Sequence, residues 1–210
     1  MIEQLNYTET KAPDTIETLI IFIHGYGANG KDLLQLAPYF QKHYKNCHFV
    51  APNAPYATDY PDSYYWFPIN NFNEDHLKEG VENSVPVINR FINYCKKQYK
   101  LSNQQIILFG FSQGSLLSIY YGLKQPEKFK AILAFSGGAL SDINSIIKNK
   151  TPICLVHGLQ DEILSPEHSL STAENLTKGK HPNELKLIDN LGHSINLAGL
   201  EFAVDFLAKH

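Results

Sequence analysis

Ser112 stands in GFSQG, residues 110–114, and a serine with glycine two positions to either side can be carried on a sharp turn with its hydroxyl exposed. The chemistry open to it is nucleophilic. Its Oγ can attack an electrophilic carbon once a neighbouring base takes the proton, and that base needs a further group to orient it. With 13 glycines and 13 serines among 210 residues, the pattern arises by chance in about one such chain in twenty. Spacing alone therefore leaves a structural Gly-Ser turn open, and the partners decide. Nine histidines compete to be the base, and Asp142, Asp161 (with Glu162 beside it) and Asp189 compete to be the orienting acid.

The elements that must position these groups are short apolar runs alternating with segments of helical length. Runs at 18–24, 48–52, 105–110, 131–136, 153–157 and 185–189 read as strands, and 31–43, 79–99, 113–124, 166–178 and 195–209 read as helices. In the second helix Val81, Val85, Ile88, Ile92 and Cys95 form one apolar face, with Pro86 expected either in the first turn or at a kink. Near-continuous apolar strands separated by helices predict one α/β domain over residues 1–210, with a mostly parallel sheet covered on both faces. Residues 2–7 could add an edge strand, and 53–78, rich in Pro, Asn and Tyr, reads as a long loop. In such a sheet functional groups collect at the carboxyl ends of the strands.

That edge sorts the candidates. Chain order serine, acid, histidine leaves four histidines in play. His168 falls in a helical pattern, His181 enters its strand at the wrong end, and His210 is terminal, which leaves His193 in NLGHS. Among the acids, Asp142 reads as a helix cap and Asp189 as a turn residue of the His193 loop. Asp161, four residues past CLVH, is favoured, with Glu162 a weaker substitute. An oxyanion would be held by the amide of Gln113, at the positive end of the following helix, and by the amide of Tyr26 in HGYGANG, where Gly25 and Gly27 permit close approach. Asn29 reads as the cap of the helix after that turn. His24 and His157 are expected to support their loops through hydrogen bonds.

Composition removes other classes. A net charge of −3, no lysine clusters and Arg90 as the only arginine give no footprint for nucleic acid or an anionic membrane. Cys47, Cys95 and Cys154 match neither a disulfide framework nor a metal-ligand spacing, so a reducing, cytoplasmic setting is expected. The longest apolar runs are five residues, and no signal or transmembrane segment is read.

FIHGYGANGKDLLQLAP, FVAPNAP, YYWFPI, GFSQGS, HGLQDEILSP and LGHS, in that order, resemble the phospholipase/carboxylesterase family of α/β-hydrolases, the group that includes the acyl-protein thioesterases, and most of all its bacterial members. The resemblance covers nearly the whole chain. It implies an α/β-hydrolase fold without a separate lid domain and a hydrolase of carboxylic esters or thioesters that needs no cofactor or metal. Ser112, Asp161 and His193 would be its triad, and Tyr26 and Gln113 its oxyanion donors. It also places Trp66 and Phe67 by the acyl cleft, with a small-molecule or lipid acyl ester as partner. Ser115 stands where many relatives carry a second glycine, and Pro166 comes one residue later after Asp161 than is common, which questions the shape of the acid loop. The rival readings are an inactive hydrolase-fold binding protein and a related peptidase or acyltransferase; oligomeric state is left open.

Overall fold

The computed structural model describes residues 5–69 and 73–210. Its strands are β1 (Tyr7–Glu9), β2 (Thr18–Ile23), β3 (Cys47–Pro52), β4 (Tyr56–Ala57), β5 (Tyr64–Tyr65), β6 (Ile106–Phe111), β7 (Ala131–Phe135), β8 (Ile153–Gly158) and β9 (Asn183–Ile188). The helices are α1 (Gly30–Leu34), α2 (Ala37–Gln41), α3 (Glu74–Tyr99), α4 (Gln113–Lys124), α5 (Ile143–Ile146), α6 (Glu167–Lys178) and α7 (Leu197–Leu207).

Seven strands form one sheet in the order β1-β3-β2-β6-β7-β8-β9, all parallel except β1, which runs antiparallel to β3. The apolar runs are continuous because both faces are covered. Along β2, Leu19, Ile21 and Ile23 join the core beneath α3, α4 and α6, while Ile20 and Phe22 join the core beneath α1, α2 and α7. This is the expected α/β architecture. The chain leaves β3 on one side of β2 and re-enters the sheet at β6 on the other, so the turns after β2 and β6 flank a switch in strand order. A crevice opens at such a point, beyond the carboxyl ends of the strands.

Several boundaries differ from those expected. The edge strand forms at residues 7–9 rather than 2–7, pairing Tyr7 with Pro52 and Glu9 with Val50; residues 2–4 lie outside the described residues. The helix expected over 31–43 is broken into α1 and α2, and Pro38 lies in the first turn of the second piece. Helix α3 starts at Glu74, not near 79, because the Asn73 side chain accepts the Asp75 N–H at 2.9 Å and two carboxylates occupy the first turn. Pro86 therefore falls well inside α3. The segment read as a loop contains the β4–β5 hairpin, in which Tyr56 and Tyr65 stack at 5.4 Å; residues 70–72 lie outside the described residues. The hairpin is anchored from a distance: Gly27 N–H donates to Tyr64 O at 2.9 Å and Ser63 Oγ to Gly27 O at 2.9 Å.

Phe109, the penultimate apolar residue of β6 before the turn, lies among Phe22, Phe40 and Phe135, with ring centroids 5.0, 5.9 and 4.8 Å away. Phe109→Ala would leave a void in a core that cannot collapse around it, because three neighbouring rings sit on separate elements. Urea unfolding should show a loss of about 3–5 kcal/mol; a loss below about 1 kcal/mol would mean this aromatic cluster is loosely packed.

Candidate active site

Ser112 joins β6 to α4 with φ 54° and ψ −118°, a backbone conformation that costs a non-glycine residue about 1–3 kcal/mol. The surroundings hold it there. Its N–H donates to Phe135 O at 2.9 Å, and a side chain at Gly114 would run into the Ile23 carbonyl while one at Gly110 would run into the backbone of Gly114. The two glycines are thus explained by helix and strand passing at backbone contact. Ser115, the departure from the commoner glycine, is fully buried, and its hydroxyl lies 2.9 Å from Gly110 O and 2.7 Å from Phe135 O, tying the ends of β6 and β7. Although Ser112 occupies the N-cap position of α4, its hydroxyl makes no capping bond.

His193 and Asp161 meet. His193 Nδ1 lies 2.7 Å from Asp161 Oδ2, and the imidazole packs on the Phe111 ring, one residue before Ser112, at 4.9 Å between centroids. The loops carrying them are joined by Gln160 N–H donating to Leu191 O at 3.0 Å, and a side chain at Gly158 would occupy the position of the Leu191 carbonyl. Asp161 is buried. Burial by itself would raise its carboxyl, but the Leu164 N–H, then His193 and the Ile163 N–H, outweigh it and hold the group below the usual aspartate range. The loop shape left in doubt by Pro166 is therefore a turn closed on Asp161 Oδ1, which accepts from Ile163 N at 3.0 Å and Leu164 N at 2.9 Å. Asp142 does sit at a helix start, but its side chain caps nothing and instead accepts from Lys78 Nζ at 2.7 Å. Asp189, Glu162, His168 and His210 are exposed, and His181 is buried with Nε2 2.7 Å from Thr151 O.

Around the turn after β2, His24 is buried and supports the backbone. Ala54 N–H donates to its Nε2 at 3.0 Å, so the ring proton is on Nδ1, 2.7 Å from Gly25 O. Neither the Tyr26 nor the Gln113 backbone amide donates to a protein acceptor among the described residues. The Gln113 side chain has a task that sequence reasoning missed: Oε1 accepts from Trp66 N and Nε2 donates to Phe67 O, both at 2.8 Å. It fastens the 64–67 segment to the serine turn.

A cavity of about 460 Å³ opens between Ser112 and His193, with Tyr26 and Gln113 in its wall. Phe67, Leu77, Leu116, Leu140, Ile163 and Leu164 make it mostly apolar. Phe67 is where the resemblance implied. Trp66 is not: it is 1% exposed, absent from the lining, and its indole N–H donates to His24 O at 2.9 Å, so it braces the turn after β2. A larger cavity of about 630 Å³ beside the β4–β5 hairpin contains neither Ser112 nor His193, so the smaller one holds the candidate site. The cysteines offer no rival nucleophile, since burial pushes the Cys47 and Cys95 thiols up to about 12 and Cys154 further. Among the described residues no group of three or more His, Cys, Asp or Glu is arranged to hold a metal, and no helix is long and apolar enough to cross a membrane.

Residues 6–210 match the family described as Phospholipase/Carboxylesterase. The chain belongs to this family. Similar members include Esterase YpfH of Escherichia coli (strain K12), 24% identical over 198 residues that cover 94% of this chain and 85% of that protein. Acyl-protein thioesterase 1 of Kluyveromyces lactis is 30% identical over 210 residues, 92% of each. The crystal structure of esterase PE8 superposes with a TM-score of 0.93 at 31% identity over 99% of both chains. Arabidopsis thaliana SOBER1, at 23% identity, a TM-score of 0.75 and coverage of 91% and 98%, shares the fold. Membership makes this protein a carboxylesterase-like hydrolase.

Burial lowers the affinity of His24, His157 and His181 for a proton in the folded state. In the unfolded chain each titrates near its ordinary value of about 6.5. Between the depressed folded values and about 6.5 the unfolded chain binds more protons, so stability is full above that pH and falls as the solution is acidified. Urea midpoints should be lower at pH 5.5 than at pH 7.5; equal midpoints would mean these rings protonate without leaving their sites.

Proposed function

We propose that Ser112, His193 and Asp161 act as a catalytic triad that hydrolyses esters and thioesters of apolar acyl groups through an acyl-enzyme. The observation that carries this reading is the 2.7 Å contact between Asp161 Oδ2 and Nδ1 of His193, which lines a cavity together with Ser112. An ionised Asp161 accepts the Nδ1 proton, which leaves Nε2 bare to take the proton of Ser112 as Oγ attacks the carbonyl carbon. The oxyanion falls to the uncommitted amides of Tyr26 and Gln113, the second reinforced by the positive end of α4. Protonated His193 then passes its proton to the leaving alcohol or thiol. Water, activated by the same imidazole, releases the acid and restores Ser112.

The apolar walls suit the acyl chain, and the name of the Kluyveromyces lactis relative supports thioesters beside esters. The substrate class is a small-molecule or lipid acyl ester. We also place the protein in the cytoplasm and read residues 1–210 as one catalytic domain; three buried, unpaired thiols and a family match over 6–210 support this.

Ser112→Ala should lower kcat for a short-chain ester by about 10⁶-fold, and a fluorophosphonate should label the parent enzyme but not the variant. Labelling that persists in Ser112→Ala, or a rate reduced less than about tenfold, would sink the assignment of the nucleophile.

A further inference from the structure

Four donors converge on the Asp161 carboxylate, and beside His193 one of them is a second imidazole with no part in the mechanism above. Oδ1 takes the backbone N–H groups of Ile163 and Leu164. Oδ2 takes His193 Nδ1 at 2.7 Å and also His157 Nε2 at 3.0 Å. His157 is the penultimate residue of β8, four positions before Asp161, and its side chain is fully buried. The bland reading is a core histidine filling the end of a strand. That reading leaves out which oxygen the ring faces: Asp161 Oδ2, the same one that holds His193.

The proton inventory shows what the ring does. Nε2 faces two oxygens that carry no proton, Asp161 Oδ2 and, at 2.9 Å, Leu164 O, so Nε2 bears the hydrogen. Nδ1 lies 2.7 Å from the Ser169 hydroxyl on α6. Ser169 is itself fully buried, and its hydroxyl also lies against the carbonyl of Gly137, a residue that lines the cavity. The other titratable groups on these segments, Glu162 on the acid turn and His168 on α6, are exposed.

We propose that His157 is a positioning residue for hydrolysis: its Nε2–H is a second donor to the Asp161 oxygen that holds His193, fixing that oxygen and limiting the charge it presents to the base. The proposal rests on the triad reading above. Without His157, Oδ2 keeps only the His193 contact, and His193 is carried on a loop with 18% of its side chain exposed. Two consequences follow from one lost proton donor. The carboxylate gains freedom to rotate about its Oδ1 contacts, so the imidazole is less well aimed at Ser112. The whole charge of Oδ2 then falls on His193, which binds its proton more tightly.

The test compares His157→Leu, which fills the space with no donor, and His157→Gln, whose amide nitrogen can reach the place of Nε2. Each is assayed with a short-chain ester from pH 5 to 9, with rates normalised to sites titrated by a fluorophosphonate. In His157→Leu, kcat should fall roughly tenfold to a hundredfold with KM changed less than about twofold. The acid limb of kcat/KM should move up by roughly half to one pH unit, and His157→Gln should return both most of the way. A merely structural histidine would lower the number of titratable sites and leave the acid limb alone. An acid limb that stays in place or moves down, or a kcat per site within twofold of the parent, overturns the proposal. Should His157→Leu not fold, NMR of the parent enzyme with ¹⁵N-labelled histidine decides: the inference requires a His157 Nε2–H tautomer, and an Nδ1–H tautomer refutes it. The triad reading fails separately, through an active Ser112→Ala; inactive triad variants beside an unaltered His157→Leu would sink this inference alone.

Discussion

A carboxylate taken out of water must be met by donors from every side or give up its charge. At Asp161 that requirement organises the edge of the sheet that also carries Ser112 and His193. Two backbone N–H groups of the turn that follows it hold one oxygen, and two imidazoles from different segments hold the other. To bring those donors together, β8 must end where it does, the turn after it must fold back on its own aspartate, and the loop after β9 must lie within a hydrogen bond of that turn. Gly158 permits the last of these, because only a residue without a side chain leaves room for the Leu191 carbonyl.

The Ser112 turn is governed by a different constraint, steric rather than electrostatic. The passage from β6 to α4 occurs where the helix presses on the end of β2, and Ser112 absorbs the change of direction in a left-handed conformation. Neighbouring strands share the strain. The Ser112 amide and the Ser115 hydroxyl both reach Phe135 O at the end of β7, so the turn is tied to the middle of the sheet as well as to its own helix. The two constraints meet at Phe111, whose ring is a floor for the His193 imidazole next to the serine. The apolar cavity follows, since the segment carrying Phe67 is fastened to the same turn by the Gln113 side chain.

The division between legible and illegible residues has a physical basis. Continuous apolar runs flanked by helix patterns could only be strands buried on both faces, so the sheet and its functional edge were readable. Ser112, Asp161 and His193 could be placed at that edge, because each stands just past a strand there, while competing residues stood at the wrong end or within helices. The failures are positions whose environment comes from far along the chain. Trp66 reads as a cleft aromatic until the His24 carbonyl is seen to take its indole proton. The hairpin inside 53–78 depends on Gly27, some thirty-five residues away, for its anchoring bonds. Asp142 has the sequence of a helix cap, but Lys78 on α3 claims its carboxylate.

What the sequence determined by itself is the alternation of elements and the standing of Ser112, Asp161 and His193 just past the ends of strands, since hydrophobic period and turn chemistry are local properties that survive in any fold the chain adopts. What only the tertiary structure decided is which donors share an acceptor. Whether His157 faces Asp161, whether the Tyr26 and Gln113 amides are uncommitted, and which apolar residues wall the cavity depend on distances of about 3 Å between segments far apart in the chain. No local pattern encodes these, because they are set by how two cores pack against the two faces of one twisted sheet.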